Sequence, residues 1–410
     1  LPRRASIVFV LDASRSIPAL APQLDALRAY LEHVPDARVE VVLVRRFATR
    51  LAGRFLSPDE LGVALTVAEN EGRLALGNGS ALEEGLRLAG DALRGRGGPT
   101  RVVLFSDALV RTRFTNELAF AALTRAPRGT VAHIVIPERE SWSELKRADG
   151  HPLAAIPRRT GGVLFELDVS ETPKELTPAV LGLVRPISVD NLELTGFAAG
   201  ADVPEPPEVL GEGDAYEFMS SLASAPRSLT LRGELWSTPI QRALTTRRDY
   251  ERATAAFVFS EDEYEDLAPE EMLRLAMFGR AVSPVTSYLA VEPGVRPSTV
   301  GLEEAIGLIG RGGGGGGGRG YGGSGALIRR VPLEQLLSAG VAACERARSP
   351  ARGWSIEMSL ETTYDEVVDV EATGASEAMR ACVVEAAWAL ELSGYRQERE
   401  HHRLTLRATA

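Results

Sequence analysis

The chain has 410 residues, enough for two or three domains at roughly 150 residues each. Its 44% hydrophobic and 25% charged residues exclude wholesale disorder and collagen-like structure. A formal net charge of −10, from 46 Lys+Arg against 56 Asp+Glu, argues against nucleic acid as a partner, because phosphate contacts need a basic surface.

No uncharged apolar run reaches the roughly 18 to 20 residues of a bilayer span, so no membrane span is expected in this chain. Of the basic residues only Lys146 and Lys174 are lysine, and no G-x-x-x-x-G-K-[ST] phosphate loop occurs. The chain begins Leu-Pro-Arg-Arg without Met. It therefore reads as a fragment or a processed chain, with any signal peptide out of view.

Residues 1–185 alternate short β-rich runs (6–11, 38–44, 101–105, 130–136 and 162–167) with helix-like segments (19–31 and 80–93). Runs such as Ile7-Val8-Phe9-Val10-Leu11 are continuously apolar, as strands buried on both faces require. This pattern predicts a doubly wound α/β domain with a parallel sheet. Residues 186–309 change character. They show β-branched alternation at 187–197 and 228–236, a Pro204-Glu205-Pro206-Pro207 break, and a helical pattern over 269–278; they read as an α+β region. The five acidic residues within 261–266 read as a solvated loop leading into a helix whose first turn favours acids.

Residues 310–325 hold twelve glycines, seven of them consecutive at 312–318. With no side chains to bury, 310–326 reads as a flexible linker, and limited proteolysis is expected to cut there first. Residues 327–410 show helical, strand-like (355–370), helical (376–392) and strand-like (402–407) patterns, predicting a third, small α/β domain. It contains both cysteines, Cys344 and Cys382. They pair in an oxidising compartment or remain buried thiols, and the residues alone leave both open.

The chemistry concentrates where the first strand ends, in Asp12-Ala13-Ser14-Arg15-Ser16. Open parallel sheets bind ligands at the carboxyl ends of their strands. A D-x-S-x-S turn gathers one carboxylate and two hydroxyls, hard oxygen donors suited to Mg²⁺, Mn²⁺ or Ca²⁺. Gly77-Asn78-Gly79-Ser80 and Phe105-Ser106-Asp107 supply a further hydroxyl and a further carboxylate. A dehalogenase-type phosphatase needs a second Asp two positions after its nucleophile, where this chain has Ser14. No G-x-S-x-G elbow occurs, His133 lies in an apolar strand as a core residue, and His401-His402 stands too isolated for a metal site.

These residues resemble the metal-ion-dependent adhesion site of von Willebrand factor type A domains: D-x-S-x-S, a later Thr, and an Asp ending a later strand. Asp12, Ser14 and Ser16 match the first motif, Ser80 stands at the Thr position with its hydroxyl retained, and Asp107 matches the last. Ala108 stands where Gly often follows. The resemblance implies a Rossmann-like type A fold over 1–185, a divalent cation (Mg²⁺, or Mn²⁺ or Ca²⁺), and a protein partner that presents an Asp or Glu carboxylate.

Residues 270–292 resemble the segment after the type A domain in inter-alpha-trypsin inhibitor heavy chains and their bacterial relatives, which implies a VIT domain upstream. The last 80 or so residues resemble the C-terminal domain of gliding-motility envelope proteins of the AgmX/PglI type, akin to the TonB C-terminal domain. That likeness rests on Cys344, the central strand pair, and Ala-Met-Arg-Ala-Cys-Val-Val at 378–384. The family's Trp-x-Phe ending is missing, with Trp388 the nearest aromatic. The resemblance implies export and an envelope partner.

The expected function is therefore non-enzymatic, cation-dependent protein binding in a cell-envelope or secreted protein. An intracellular scaffold is the alternative. Because residues 327–410 hold none of the five site residues, their interactions are expected to be independent of the cation.

Overall fold

The computed structural model describes residues 4–286 and 331–408 apart from short interruptions, the longest at 139–144 and 393–398. The glycine tract, and with it the expected protease site, lies outside the described residues, as do residues 287–292 of the segment likened to heavy chains.

The first domain is built from β1 (Ser6–Asp12), α1 (Ala21–Glu32), β2 (Arg38–Val44), β3 (Ala48–Arg50), α2 (Pro58–Asn70), α3 (Leu82–Leu93) and β4 (Thr100–Phe105). It continues through α4 (Asn116–Leu123), β5 (Val131–Glu138), β6 (Leu145–Arg147), α5 (Ala155–Arg158), β7 (Leu164–Asp168), α6 (Pro173–Ala179) and α7 (Leu181–Val184). Its seven strands lie in the order β3-β2-β1-β4-β5-β7-β6. β2, β1, β4, β5 and β7 run parallel, and the short edge strands β3 and β6 are antiparallel.

All of β1 is buried. Ile7, Phe9 and Leu11 belong to the core on one side of the sheet, while Val8 and Val10 belong to the core on the other. That explains the unbroken apolar run, because a central strand with helices on both faces has no solvent side. The fold is the doubly wound, Rossmann-like α/β class that the resemblance implies. Strand order reverses around β1, so the crevice for a ligand opens at the carboxyl ends of β1 and β4.

The second region forms an antiparallel sheet of β8 (Ser188–Thr195), β9 (Val209–Gly211), β10 (Ser228–Leu235) and β11 (Thr238–Thr245), in the order β11-β10-β8-β9. α8 (Glu251–Ser260) and α9 (Pro269–Gly279) follow, with the 3₁₀ turn Glu263–Asp266 between them. Trp236 at the β10–β11 turn is buried in the first domain's core, and its indole N–H donates to the Gly182 carbonyl at 2.9 Å.

The third domain comprises α10 (Leu333–Arg348), β12 (Ser355–Thr363), β13 (Glu366–Gly374), α11 (Glu377–Trp388) and β14 (Glu400–Arg407), with sheet order β13-β12-β14. The predicted strand-like run at 355–370 is a hairpin that turns at Tyr364 and Asp365. Both sides of the turn are β-branched, so periodicity does not reveal the break. Cys344 and Cys382 form a disulfide that joins α10 to α11, with Cα atoms 5.8 Å apart. Among the described residues no helix is long and apolar enough to cross a membrane.

Candidate functional site

β1 ends in Asp12, whose side chain is fully buried. Its Oδ1 accepts the Ser14 N–H at 3.1 Å, and its Oδ2 accepts hydroxyls from Ser106 at 2.7 Å and Ser80 at 3.2 Å. Its carbonyl accepts from the Gln23 side chain at 3.0 Å. Ser14 and Ser16 hydroxyls lie 3.0 Å apart. Asp107 just beyond β4 accepts the Leu109 N–H at 3.0 Å and lies near the Ser16 hydroxyl. The five residues singled out in the sequence thus converge at the carboxyl ends of β1 and β4. Ser106 and Gln23 are further parts of the site, holding Asp12 in place; Ser106 is visible in sequence only as the neighbour of Asp107.

Local backbone explains the motif's small residues. The N–H of Ala13 donates to Val44 and the N–H of Gly77 donates to Ala13, so the first turn is tied to both flanking segments. Gly79 adopts φ of 93°, and a Cβ there would lie 2.6 Å from the Arg46 Cα, so only glycine fits. The need for this turn also explains why α3 begins at Leu82 rather than at residue 80. Ala108 sits at φ of 63°, the left-handed region that favours the Gly often found there in the resembled family.

The electrostatics are those of an acid cluster without its counter-charge. Burial, and next the charge of Asp107, push the Asp12 carboxyl up to about 7, while burial raises Asp107. The Asp107 Oδ2 is buried without a hydrogen-bond partner. Among the described residues neither acid has an Arg, Lys or His within ion-pair distance. One buried and one half-buried carboxylate, the latter with an orphaned oxygen, and three hydroxyls fit a hard divalent cation. Among the described residues no three His, Cys, Asp or Glu side chains form a metal-holding group by themselves, so such an ion draws on hydroxyls and water as well.

One feature of the site lies outside the sequence motif. Glu366, at the start of β13, is fully buried against it. Its Oε2 accepts the Arg15 N–H at 2.9 Å, and the Ser16 side chain lies near its carboxylate. Burial, then the charges of Asp12 and Asp107, raise Glu366 to about 8. The expectation that the third domain stands apart from the site is thereby corrected. Its surface is polar and nothing in its hydrophobic periodicity marks it as an interface.

The contact continues around the rim. Asn78 donates to the carbonyls of Trp388 at 2.7 Å and Leu390 at 2.8 Å, and accepts from the Val367 N–H at 3.3 Å. Glu361 accepts from the Thr112 N–H at 2.9 Å and from its hydroxyl at 2.7 Å. Arg46 forms a two-pronged pair with Glu385, both contacts at 2.7 Å. Arg113 pairs with Asp369 at 3.0 Å.

Among the histidines, His401 and His402 contact Thr112 and Thr362. His133 is fully buried, as its strand pattern predicts. It is half-satisfied: Nδ1 accepts the Val163 N–H at 3.2 Å, and Nε2 has no hydrogen-bond partner among the described residues.

No protein-family model matches the chain, and no curated protein matches it in sequence. Solved structures of similar shape include a von Willebrand factor type A protein from Catenulispora acidiphila at 12% identity, covering 68% of this chain and 80% of that one, with a TM-score of 0.35. The conserved hypothetical protein BatB from Bacteroides thetaiotaomicron is similar at 13% identity over 43% of this chain and 98% of that one, with a TM-score of 0.32. Proximal thread matrix protein 1 from the mussel byssus, with a zinc-occupied adhesion-site motif, is similar at 18% identity over 44% of this chain and 45% of that one, with a TM-score of 0.34. Likenesses this distant carry no argument about function, which rests on the residues above.

Proposed function

We propose that the chain is a non-enzymatic protein-binding module of the type A kind, dependent on a divalent cation. Asp12, Ser14, Ser16, Ser80 and Asp107 would hold the ion, with Mg²⁺ (or Mn²⁺ or Ca²⁺) matching their hard oxygen donors. The observation that carries this reading is the convergence of those five side chains on one buried, uncompensated acid cluster at the strand ends. Once bound, the ion supplies a positive centre for an additional carboxylate. With Asp12 and Asp107 as the only carboxylates of the motif, the chain's own charge does not saturate a dication.

The Cys344–Cys382 disulfide supports placing the protein in a cell envelope or outside the cell, because such bonds persist in oxidising compartments. This favours export over an intracellular scaffold. A VIT domain upstream and an envelope partner for the third domain belong to the same reading.

Titration of the full chain with Mg²⁺ or Mn²⁺, followed by calorimetry and thermal melting, tests the ion. One site and a rise in melting temperature are expected. Asp12→Ala and Asp107→Ala should abolish both, Ser80→Ala should weaken binding, and Ser80→Thr should preserve it. A parent protein that neither binds nor melts higher with either ion sinks the reading.

A further inference from the structure

We propose that the carboxylate captured at this site is the chain's own: Glu366, at the tip of the β12–β13 hairpin, is a built-in ligand that docks the third domain over the cation and closes the site to outside acids. This rests on the ion-binding reading and names the partner that the reading leaves open.

Glu366 occupies a position that the third domain's own folding does not explain. Hairpin tips are ordinarily solvated, and a buried carboxylate there needs compensation. Among the described residues, the hydrogen-bond partner of its carboxylate within its own domain is the Thr363 hydroxyl, at 3.3 Å. Across to the first domain its carboxylate meets the D-x-S-x-S turn, where the Arg15 N–H donates at 2.9 Å and the Ser16 side chain lies near, and Asp12 and Asp107 are close enough to act on its charge. Among the described residues no Arg, Lys or His pairs with it. Three acids, two from the rim of the parallel sheet and one from a different domain, therefore lie close enough to act on one another's charge, with the Ser16 hydroxyl near acids of both domains. They do not enclose an ion by themselves, so hydroxyls and water would complete its shell. A divalent ion is the charge that makes such a meeting favourable.

The surroundings fix the hairpin in register. Asn78, two residues before Ser80, holds the backbone of Val367, the residue after Glu366. Glu361, across the hairpin, accepts from Thr112 beyond Asp107. The two contacts bracket Glu366 along the hairpin, so the carboxylate is presented by a paired two-stranded element. A disordered tail would pay more entropy for the same contact. An outside acidic ligand would have to displace this hairpin first, which makes the third domain an autoinhibitory cap.

The test uses the full chain with Mn²⁺, whose bound waters are counted by water-proton relaxation, and hydrogen exchange read on peptides containing Arg15 and the 361–367 hairpin. In the parent protein Mn²⁺ should bind and slow exchange in both peptides. Glu366→Gln should still bind Mn²⁺, about tenfold more weakly by analogy with the loss of a partner at a metal site. It should also gain relaxation enhancement as water enters the vacated position, and lose the ion-dependent protection of the hairpin. Glu366→Asp, charged but one methylene shorter, should fall between the two. Unchanged affinity, hydration and protection in Glu366→Gln overturn the built-in ligand while leaving the ion site standing. Failure of Mn²⁺ to bind the parent protein overturns both. A thermal melt of each variant identifies a folding defect, and Asp12→Ala, which should lose the ion altogether, marks the baseline against which the Glu366 variants are read.

Discussion

The first domain meets its two neighbours in opposite ways. Against the antiparallel sheet it uses Trp236, buried within its own core, and Arg147, which reaches Asp190, Glu234 and the Trp236 carbonyl. Against the third domain it uses the rim of its ligand crevice, through Arg15, Arg46, Asn78 and Thr112. The first junction buries an aromatic side chain and should hold with or without a divalent cation. The second is polar and centred on acids from two domains that, on the proposed reading, a cation would bring together. The contrast separates a junction that buries an aromatic anchor from a junction whose strength is proposed to depend on a ligand.

The largest effect should come from breaking the apolar junction. Trp236 is 8% exposed and packs edge-on against His133, with ring centroids 4.4 Å apart. Truncating a buried Trp to Ala typically costs about 3 to 5 kcal/mol. Trp236→Ala should therefore lower denaturant stability by that amount whether or not Mg²⁺ is present. A loss that appears only with the ion would mean that the two junctions are coupled and the comparison fails.

The same junction sets an acid limit. His133 is fully buried and, through burial and then the neighbouring Arg101 charge, its pKa falls to about 3, against 6.5 in the unfolded chain. The group is depressed on folding, so below pH 6.5 the unfolded state takes up a proton that the folded state refuses. Stability is then lost as pH falls from 6.5 towards 3, by about 1.4 kcal/mol per pH unit at most. Between pH 7 and pH 5 this amounts to about 2 kcal/mol. His133→Phe should remove that part of the slope, although its stability at pH 7 also drops because the Val163 N–H loses its acceptor. Equal acid slopes in parent and variant would show that His133 does not set the limit.

How much of this was legible in the sequence follows the same divide. The parallel strands were readable because a strand buried on both faces is mostly apolar, and β1, Val41–Val44 of β2 and Val102–Phe105 of β4 announce themselves that way. The five residues proposed to hold the ion were readable as a set because the motif falls at the strand ends, where a doubly wound sheet opens its crevice. The edge strands β3 and β6, three residues each, leave no periodic trace. Glu366 left no trace either. It is a single acid at a hairpin, indistinguishable from a solvated turn residue until the fold brings positions 15 and 366 together. Short-range pattern reports burial within an element; it is silent about which polar side chain another domain will cover.

The smallest effect sharpens the polar junction. Arg46 contacts both oxygens of Glu385 at 2.7 Å, and its guanidinium lies 5.0 Å from the Trp388 ring centroid. The geometry is good, but the Glu385 side chain is 65% exposed, so water and salt screen the pair. Exposed ion pairs measured by double-mutant cycles give about 0.2 to 1 kcal/mol. Arg46→Ala should therefore loosen the third domain only slightly, as a small rise in hydrogen exchange over the 361–367 hairpin that 0.5 M NaCl reproduces in the parent protein. Ion affinity should stay within about twofold, because none of the proposed ligands has been touched and the lost pair is worth little in water. If Arg46→Ala instead released the hairpin as fully as Glu366→Gln, the rim charges rather than the acid over the ion would be holding the third domain in place.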